Sequence, residues 1–268
     1  MKKIFYSLII SIFLQLVIYS QQGWQLIYSF PEEVGAICFI DKNIGFAGSG
    51  YFAITKKIMK TTDAGNTWTD LIIINNAITR IYFFNYTLGF AIGENGTFYK
   101  TIDSGVSWNL IPSGETETFS GIYFYNEQLG WTCIGPDKIL RTTDGGNNWE
   151  SSFTNGAIAN CDIQFVNEFI GFVVGVYAKM YKSTDGGVNW YDITAPFTAS
   201  IFGIEFFNQS IGLVVGGTGI AKTIDGGNTW SMVLYSGGQL NSICSFGNKF
   251  AWAVGSNKIY YSSNRGDT

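Results

Sequence analysis

One octapeptide, repeated at nearly constant spacing, governs what this chain can fold into. Thr61-Thr62-Asp63-Ala64-Gly65-Asn66-Thr67-Trp68 returns in related form at Thr101 to Trp108, Thr142 to Trp149, Ser183 to Trp190 and Thr223 to Trp230. Its aspartates, Asp63, Asp103, Asp144, Asp185 and Asp225, are separated by steps of 40, 41, 41 and 40 residues. A sixth, degenerate copy runs from Ser262 to Thr268, with Asn264 in place of the Asp. A second motif keeps step with the first. It reads Ile-x-Phe-x-Asn followed by an apolar-Gly-aromatic group, and its copies begin at Ile81, Ile122, Ile163 and Ile204, with weaker ones at Ile37 and Ile243. A fixed period of this length marks a repeat architecture.

Each unit reads as four short strands. The alternating Ile-x-Phe segment is the first, and Gly89 to Gly93 typifies the second. Thr97 to Thr101 typifies the third, and the segment starting at the Trp is the fourth. Period-2 alternation, β-branched and aromatic content and Gly/Asn punctuation all favour strands, and no stretch after the N-terminus has helical periodicity. Four antiparallel strands per roughly 40 residues is the pattern of a β-propeller blade. The expected fold is therefore all-β, a propeller with six blades in this sequence, or seven if the chain is a fragment. Residues 24–30 read as a lone fourth strand and the C-terminal unit lacks one, so the N-terminal strand is expected to close the last blade and remove an open edge. Blades bury both faces, which agrees with 17% aromatic and only 13% charged residues.

The motif has a local physical role. A short carboxylate after Thr or Ser accepts hydrogen bonds from turn amides, and a glycine two residues on permits positive φ. Asp63, Gly65 and Trp68 are therefore assigned to structure. So are Asp103, Gly105 and Trp108; Asp144, Gly146 and Trp149; Asp185, Gly187 and Trp190; and Asp225, Gly227 and Trp230. The basic residues three positions before the aspartates, Lys60, Lys100, Arg141, Lys182 and Lys222, read as strand-surface groups near the turn rather than a binding patch.

The N-terminus carries Lys2 and Lys3, an apolar run to Tyr19 and a small residue, Ser20. That is the layout of an export signal, so residues 1–20 are expected to be removed, leaving 21–268 as the propeller, secreted, periplasmic or at the cell surface. Contact with membrane would be limited to that transient signal. Removal takes two lysines and no acid, so the net charge moves from −4 to −6. With no basic run longer than Lys56-Lys57, nucleic acid is not an expected partner. Cys38, Cys133, Cys161 and Cys244 form no CxxC pair, and they are expected as buried free thiols in strands. No cofactor or metal is expected. The chain has no histidine, which removes Ser-His-Asp and Cys-His catalysis and His-ligated metals.

The pattern Ser/Thr-x-Asp-x-Gly-x-x-Trp resembles the Asp-box, or bacterial neuraminidase repeat. Combined with the Asn-x-x-x-Gly-aromatic motif, it most resembles the photosystem II assembly and stability factor family, which has secreted relatives in bacteria without photosystems. The resemblance covers nearly all of residues 24–268. It implies a non-enzymatic propeller, seven-bladed in that family, that binds protein partners. That family's partner surface is rich in arginine; this chain has three arginines, so no contact position carries over. Sialidases are six-bladed relatives by the same motif and clamp their substrate carboxylate with three arginines. Arg141 and Arg265 lie beside Asp motifs on the opposite face, which leaves only Arg80 for such a site.

The remaining enzyme class is a carboxylate-dependent glycosidase, which needs two flanking acids. Glu32, Glu33, Glu94, Glu115, Glu117, Asp137 and Asp162 fall in loops on the face away from the Asp motifs. The favoured expectation is a secreted binding module or scaffold recognising a protein or glycan on that loop face, as a monomer or as a structural domain of a larger surface protein. Tyr51, Phe52, Arg80, Phe119, Tyr177, Phe202 and Tyr235 are the candidate contact residues.

Overall fold

The computed structural model describes residues 26–154, 156, 158–159 and 162–267. The expected export signal, Trp24, Gln25 and Cys161 lie outside the described residues. Every regular element described is a strand. The first blade is β1 (Val34–Phe39), β2 (Gly45–Ser49), β3 (Lys57–Thr61) and β4 (Thr69–Ile73). The second is β5 (Ile78–Phe83), β6 (Gly89–Gly93), β7 (Phe98–Thr101) and β8 (Asn109–Leu110). The third is β9 (Phe119–Phe124), β10 (Gly130–Ile134), β11 (Lys138–Thr142) and β12 (Glu150–Phe153). The fourth is β13 (Asp162–Phe165), β14 (Gly171–Gly175), β15 (Lys179–Ser183) and β16 (Tyr191–Asp192). The fifth is β17 (Ile201–Phe206), β18 (Gly212–Gly216), β19 (Gly219–Thr223) and β20 (Ser231–Tyr235). The sixth is β21 (Ser242–Phe246), β22 (Phe250–Gly255) and β23 (Lys258–Ser262). Each sheet is an antiparallel meander in chain order, five of four strands and the last of three.

The second strand of each of the first five blades is buried along its whole length, because both its faces meet neighbouring sheets. Five apolar cores follow, one at each junction between consecutive blades. Four of the five junctions share one rule. A ring on the second strand stacks on the last Phe of the next blade's first strand. The pairs are Phe46–Phe83, Phe90–Phe124, Trp131–Phe165 and Phe172–Phe206, with centroids 4.8, 4.3, 3.4 and 4.9 Å apart. The motif Trp of that next blade closes the stack edge-on, as Trp108 does on Phe83 and Trp230 on Phe206. Each such pair is worth about 0.5–1.5 kcal/mol beyond its burial.

The Asp motif makes the turn between the third and fourth strands. The Thr61 hydroxyl donates to Asp63 Oδ1 at 2.8 Å and accepts the Gly65 amide at 2.9 Å. Asp63 in turn accepts the Thr67 amide and hydroxyl at 2.9 and 2.6 Å. The four other Asp copies repeat this network. The basic residue before each turn does more than sit on a strand surface. Lys60 donates to the Ser104 carbonyl, Lys100 to Asn147, Lys182 to the Gly226 carbonyl and Asn228, and Lys222 pairs with Asp267. Each lysine therefore laces its blade to the Asp turn of the following one.

One expectation needs correction, and another falls partly outside the described residues. Among the described residues the last sheet has three strands and 26–30 lie in no strand, while Trp24 and Gln25, the start of the expected closing strand 24–30, lie outside them. Phe30 instead packs on Trp68 of the first blade, 5.2 Å between centroids. The reason is that Trp68 has no preceding blade ring against it, and the nearest apolar side chains of the chain take that place. Cys133 is disulfide-bonded rather than a free thiol. Cys38 and Cys244 are free, but Cys244 is exposed.

Candidate functional site

The Asp turns collect at one end of the blades. The opposite end carries the turns between second and third strands and the loops that cross from one blade to the next. These turns and loops are tied together: the Gly96 amide donates to the Glu117 carbonyl of the loop leading into the next blade, and the Gly217 amide to the Ser200 carbonyl just before β17 of its own blade. Beneath them, the first strands of all six blades line a central channel of about 560 Å³.

Alternation along the first strand decides what faces that channel. The Ile and Phe of Ile-x-Phe enter the blade cores, so the intervening residue points away from them. At this position stand Tyr82, Tyr123, Gln164 and Glu205 in the second to fifth blades. They connect neighbouring first strands: Tyr82 bonds the Phe124 backbone, Gln164 Oε1 accepts the Phe206 amide at 2.7 Å, and Ser245 donates to Glu205 Oε1 at 2.7 Å. Burial raises the Glu205 carboxyl to about 7, against the smaller opposing effect of the Ser245 bond. Burial likewise pushes the Tyr82 hydroxyl up to about 12 and raises that of Tyr123. Arg80 and Asp162 face one another in the same channel at 3.4 Å. Arg80 Nε donates to the Ser120 carbonyl at 3.3 Å, and Asp162 accepts the Ile204 amide at 3.2 Å.

The expected contact residues fall into three groups. Tyr51, Phe52, Tyr177 and Tyr235 are exposed at the loop end. Tyr51 and Phe52 form an edge-on pair at 5.0 Å on a loop pinned by Glu33, which accepts the Phe52 amide, and by Lys56, which donates to three loop carbonyls. Arg80 lies within β5, in the channel. Phe119 is corrected: it belongs to β9 and is completely buried against Phe98, whereas Phe202 is half-buried near the start of β17.

The loop acids are largely engaged in structure. Glu32 accepts the Thr55 amide, Glu94 the Ala77 amide, and Glu115 pairs with Lys138 at 2.7 Å. Asp162 is not a loop acid but the first residue of β13. Glu205 was not anticipated. Its signal was available, since it is the one acid at the variable position of the Ile-x-Phe motif, but burial there depends on the neighbouring blade. Among the described residues no cluster of three His, Cys, Asp or Glu side chains could hold a metal.

A ring of short-stranded blades with Asp turns at one end, and a loop face over a polar channel at the other, defines a repeat β-propeller. Residues 70–156 and 154–268 match the profile of the photosynthesis system II assembly factor YCF48 family, and the chain belongs to that family. Solved propellers share its fold. A structure of YCF48 bound to D1 peptide is 14% identical with a TM-score of 0.65, covering 91% of this chain and 96% of that one. YCF48 from Cyanidioschyzon merolae is 13% identical with a TM-score of 0.58, covering 90% and 98%. A GH74 enzyme from Niastella koreensis is 17% identical with a TM-score of 0.65, covering 87% of this chain but 45% of the enzyme. Among curated proteins none matches this chain.

Proposed function

We propose that this protein is an exported, non-catalytic binding propeller that holds an extended segment of a partner protein on its loop face. The observation that carries the reading is family membership, joined to a family structure described as bound to a peptide. The loop face supports it. Exposed aromatics at Tyr51, Phe52, Tyr177 and Tyr235 offer rigid apolar contacts around the rim, and the Arg80–Asp162 pair offers polar ones in the channel. The N-terminal layout of Lys2, Lys3 and an apolar run supports export. Glycoside hydrolysis is the second reading, favoured by the shared fold with a GH74 enzyme and by the raised Glu205 carboxyl. Against it, four of the acids first assigned to the face already serve as backbone or lysine partners.

The test is an array of extended peptides of varied composition, probed with the purified protein beside a glycan array. Saturable binding to a subset of peptides is expected. It should be lost in Tyr51→Ser/Phe52→Ser and kept in Ile102→Ser/Val106→Ser, whose side chains are exposed at the Asp-turn end. Binding lost only in the second variant, or hydrolysis of β-glucan abolished by Glu205→Gln, would overturn the reading.

A further inference from the structure

The channel carries one more carboxylate than the fold uses. Glu205 stands at the variable position of Ile-x-Phe, where its link to the next blade is a single hydroxyl, Ser245, on Oε1. A neutral side chain makes the same kind of link one blade earlier, where Gln164 Oε1 accepts the Phe206 amide. Among the described residues, Glu205 Oε2 accepts no hydrogen bond and Glu205 has no ion-pair partner.

The cation nearby is already committed. Among the described residues, Arg80 is the one basic residue bordering the channel. Its guanidinium faces Asp162 Oδ1 at 3.4 Å, and its Nε donates to the Ser120 carbonyl. Asp162 is satisfied in turn, since its Oδ2 accepts the Ile204 amide at 3.2 Å. Arg80 and Asp162 therefore cancel, and an ionised Glu205 leaves the channel with one uncompensated negative charge. Buried charges are ordinarily paired. Without a partner Glu205 keeps a proton instead, burial holding its carboxyl at about 7 and the Asp162 charge adding a smaller rise. Tyr123 also borders the channel, within electrostatic reach of Glu205, and its hydroxyl has no hydrogen-bond partner among the described residues. Burial raises that hydroxyl further above its usual value, so it stays a neutral acceptor.

We propose that the channel is a receptor site for one primary alkylammonium group, received by Glu205 Oε2 with the Tyr123 hydroxyl oxygen as a second acceptor. An ammonium has three donors and no acceptor, and it favours aromatic surface, so its chemistry complements these two side chains. The entering cation supplies the missing partner charge, and Glu205 releases its proton to solvent. A channel of about 560 Å³ has room for the four-carbon stem of a lysine. A lysine of the segment held on the loop face would bring the group. That source rests on the peptide-binding reading, and the site itself does not.

The response to pH is set by few groups. Of the strands packed against β17, β14 and β18 carry no titratable residue, β13 carries Asp162 and β21 carries Cys244. Tyr123 and Arg80 complete the set on the channel.

The test is thermal melting of the purified protein with n-butylammonium chloride, against equal concentrations of sodium chloride and of n-butanol. Near pH 8 the wild type is expected to melt roughly 2–4 °C higher in butylammonium than in either control, as a concentration about ten times the dissociation constant would give. The rise should vanish in Glu205→Gln, shrink in Tyr123→Phe and fade at about pH 5, where the carboxyl keeps its proton. Nα-acetyl-lysine methylamide should reproduce it and Nα-acetyl-norleucine methylamide should not. An equal rise in Glu205→Gln, or a wild type that melts as in the controls, would overturn the site. Among peptides that bind, replacing lysine by norleucine should weaken binding about tenfold in the wild type and leave Glu205→Gln unmoved; equal binding in the wild type would overturn the lysine source. Peptide binding without any butylammonium effect would sink the site alone, and the converse would sink the peptide reading alone.

Discussion

Glu205 shows how one residue's chemistry is set by a blade other than its own. It stands on β17, but its hydroxyl partner, Ser245, comes from β21, and burial holds its carboxyl near 7. The folded form therefore keeps a proton that the unfolded chain releases near the usual value of 4.5. Stability from this group is full below about pH 4.5 and is lost as pH rises toward 7. Glu205→Gln keeps the acceptor and removes the titration. Thermal melts of the two proteins should coincide near pH 4.5 and separate above pH 7, the Gln variant melting roughly 3–8 °C higher, since the shift is on the order of 1–3 kcal/mol. Parallel curves across that range would contradict the buried-acid assignment. Nothing local to Ile204-Glu205-Phe206 marks this acid as buried, because the same position holds tyrosines in two blades and Gln164 in another. The Asp motif, by contrast, was legible residue by residue. Its hydrogen bonds close within four residues, so spacing alone carries the geometry.

At the scale of the element, the turn is the unit that holds third and fourth strands in register. Asp144 accepts the Asn148 side chain and amide and the Thr142 hydroxyl, and these bonds, the Asn148 side chain foremost, draw its carboxyl down to about 2. A depressed carboxyl contributes above its unfolded value and loses that contribution as pH falls through the folded one. Asp144→Ala should lower the melting temperature by roughly 2–6 °C at pH 7, with the gap closing as pH falls from about 4 to 2. An equal gap at both pH values would assign the loss to packing instead. Strand identity and order were readable from period-2 alternation. The lysine lacing was not, since each Lys60-type residue reaches a turn in the following blade and no local pattern records that distance. Phe119 was misplaced for a related reason: a short apolar run looks the same at a strand's start and at a loop's end.

The whole molecule joins a uniform scaffold to a non-uniform loop face. Junction stacking repeats from blade to blade, so the ring's architecture was legible from the motif spacing, whereas the channel and the terminal faces arise only once blades are placed side by side. The residues of the loop end differ from blade to blade: Tyr51 and Phe52 in the first, Tyr177 in the fourth and Tyr235 in the fifth. That division between a repeated end and a varied end is what the binding reading rests on. The most direct measurement is site-specific photocrosslinking in cells producing the protein, with benzoylphenylalanine at Phe52 or Tyr177 on the loop face and at Val106 on the Asp-turn face. The account predicts one discrete protein adduct shared by the two loop-face positions and absent at Val106. An adduct at Val106 alone, or at none of the three while a labelled oligosaccharide binds and is cleaved, would contradict it.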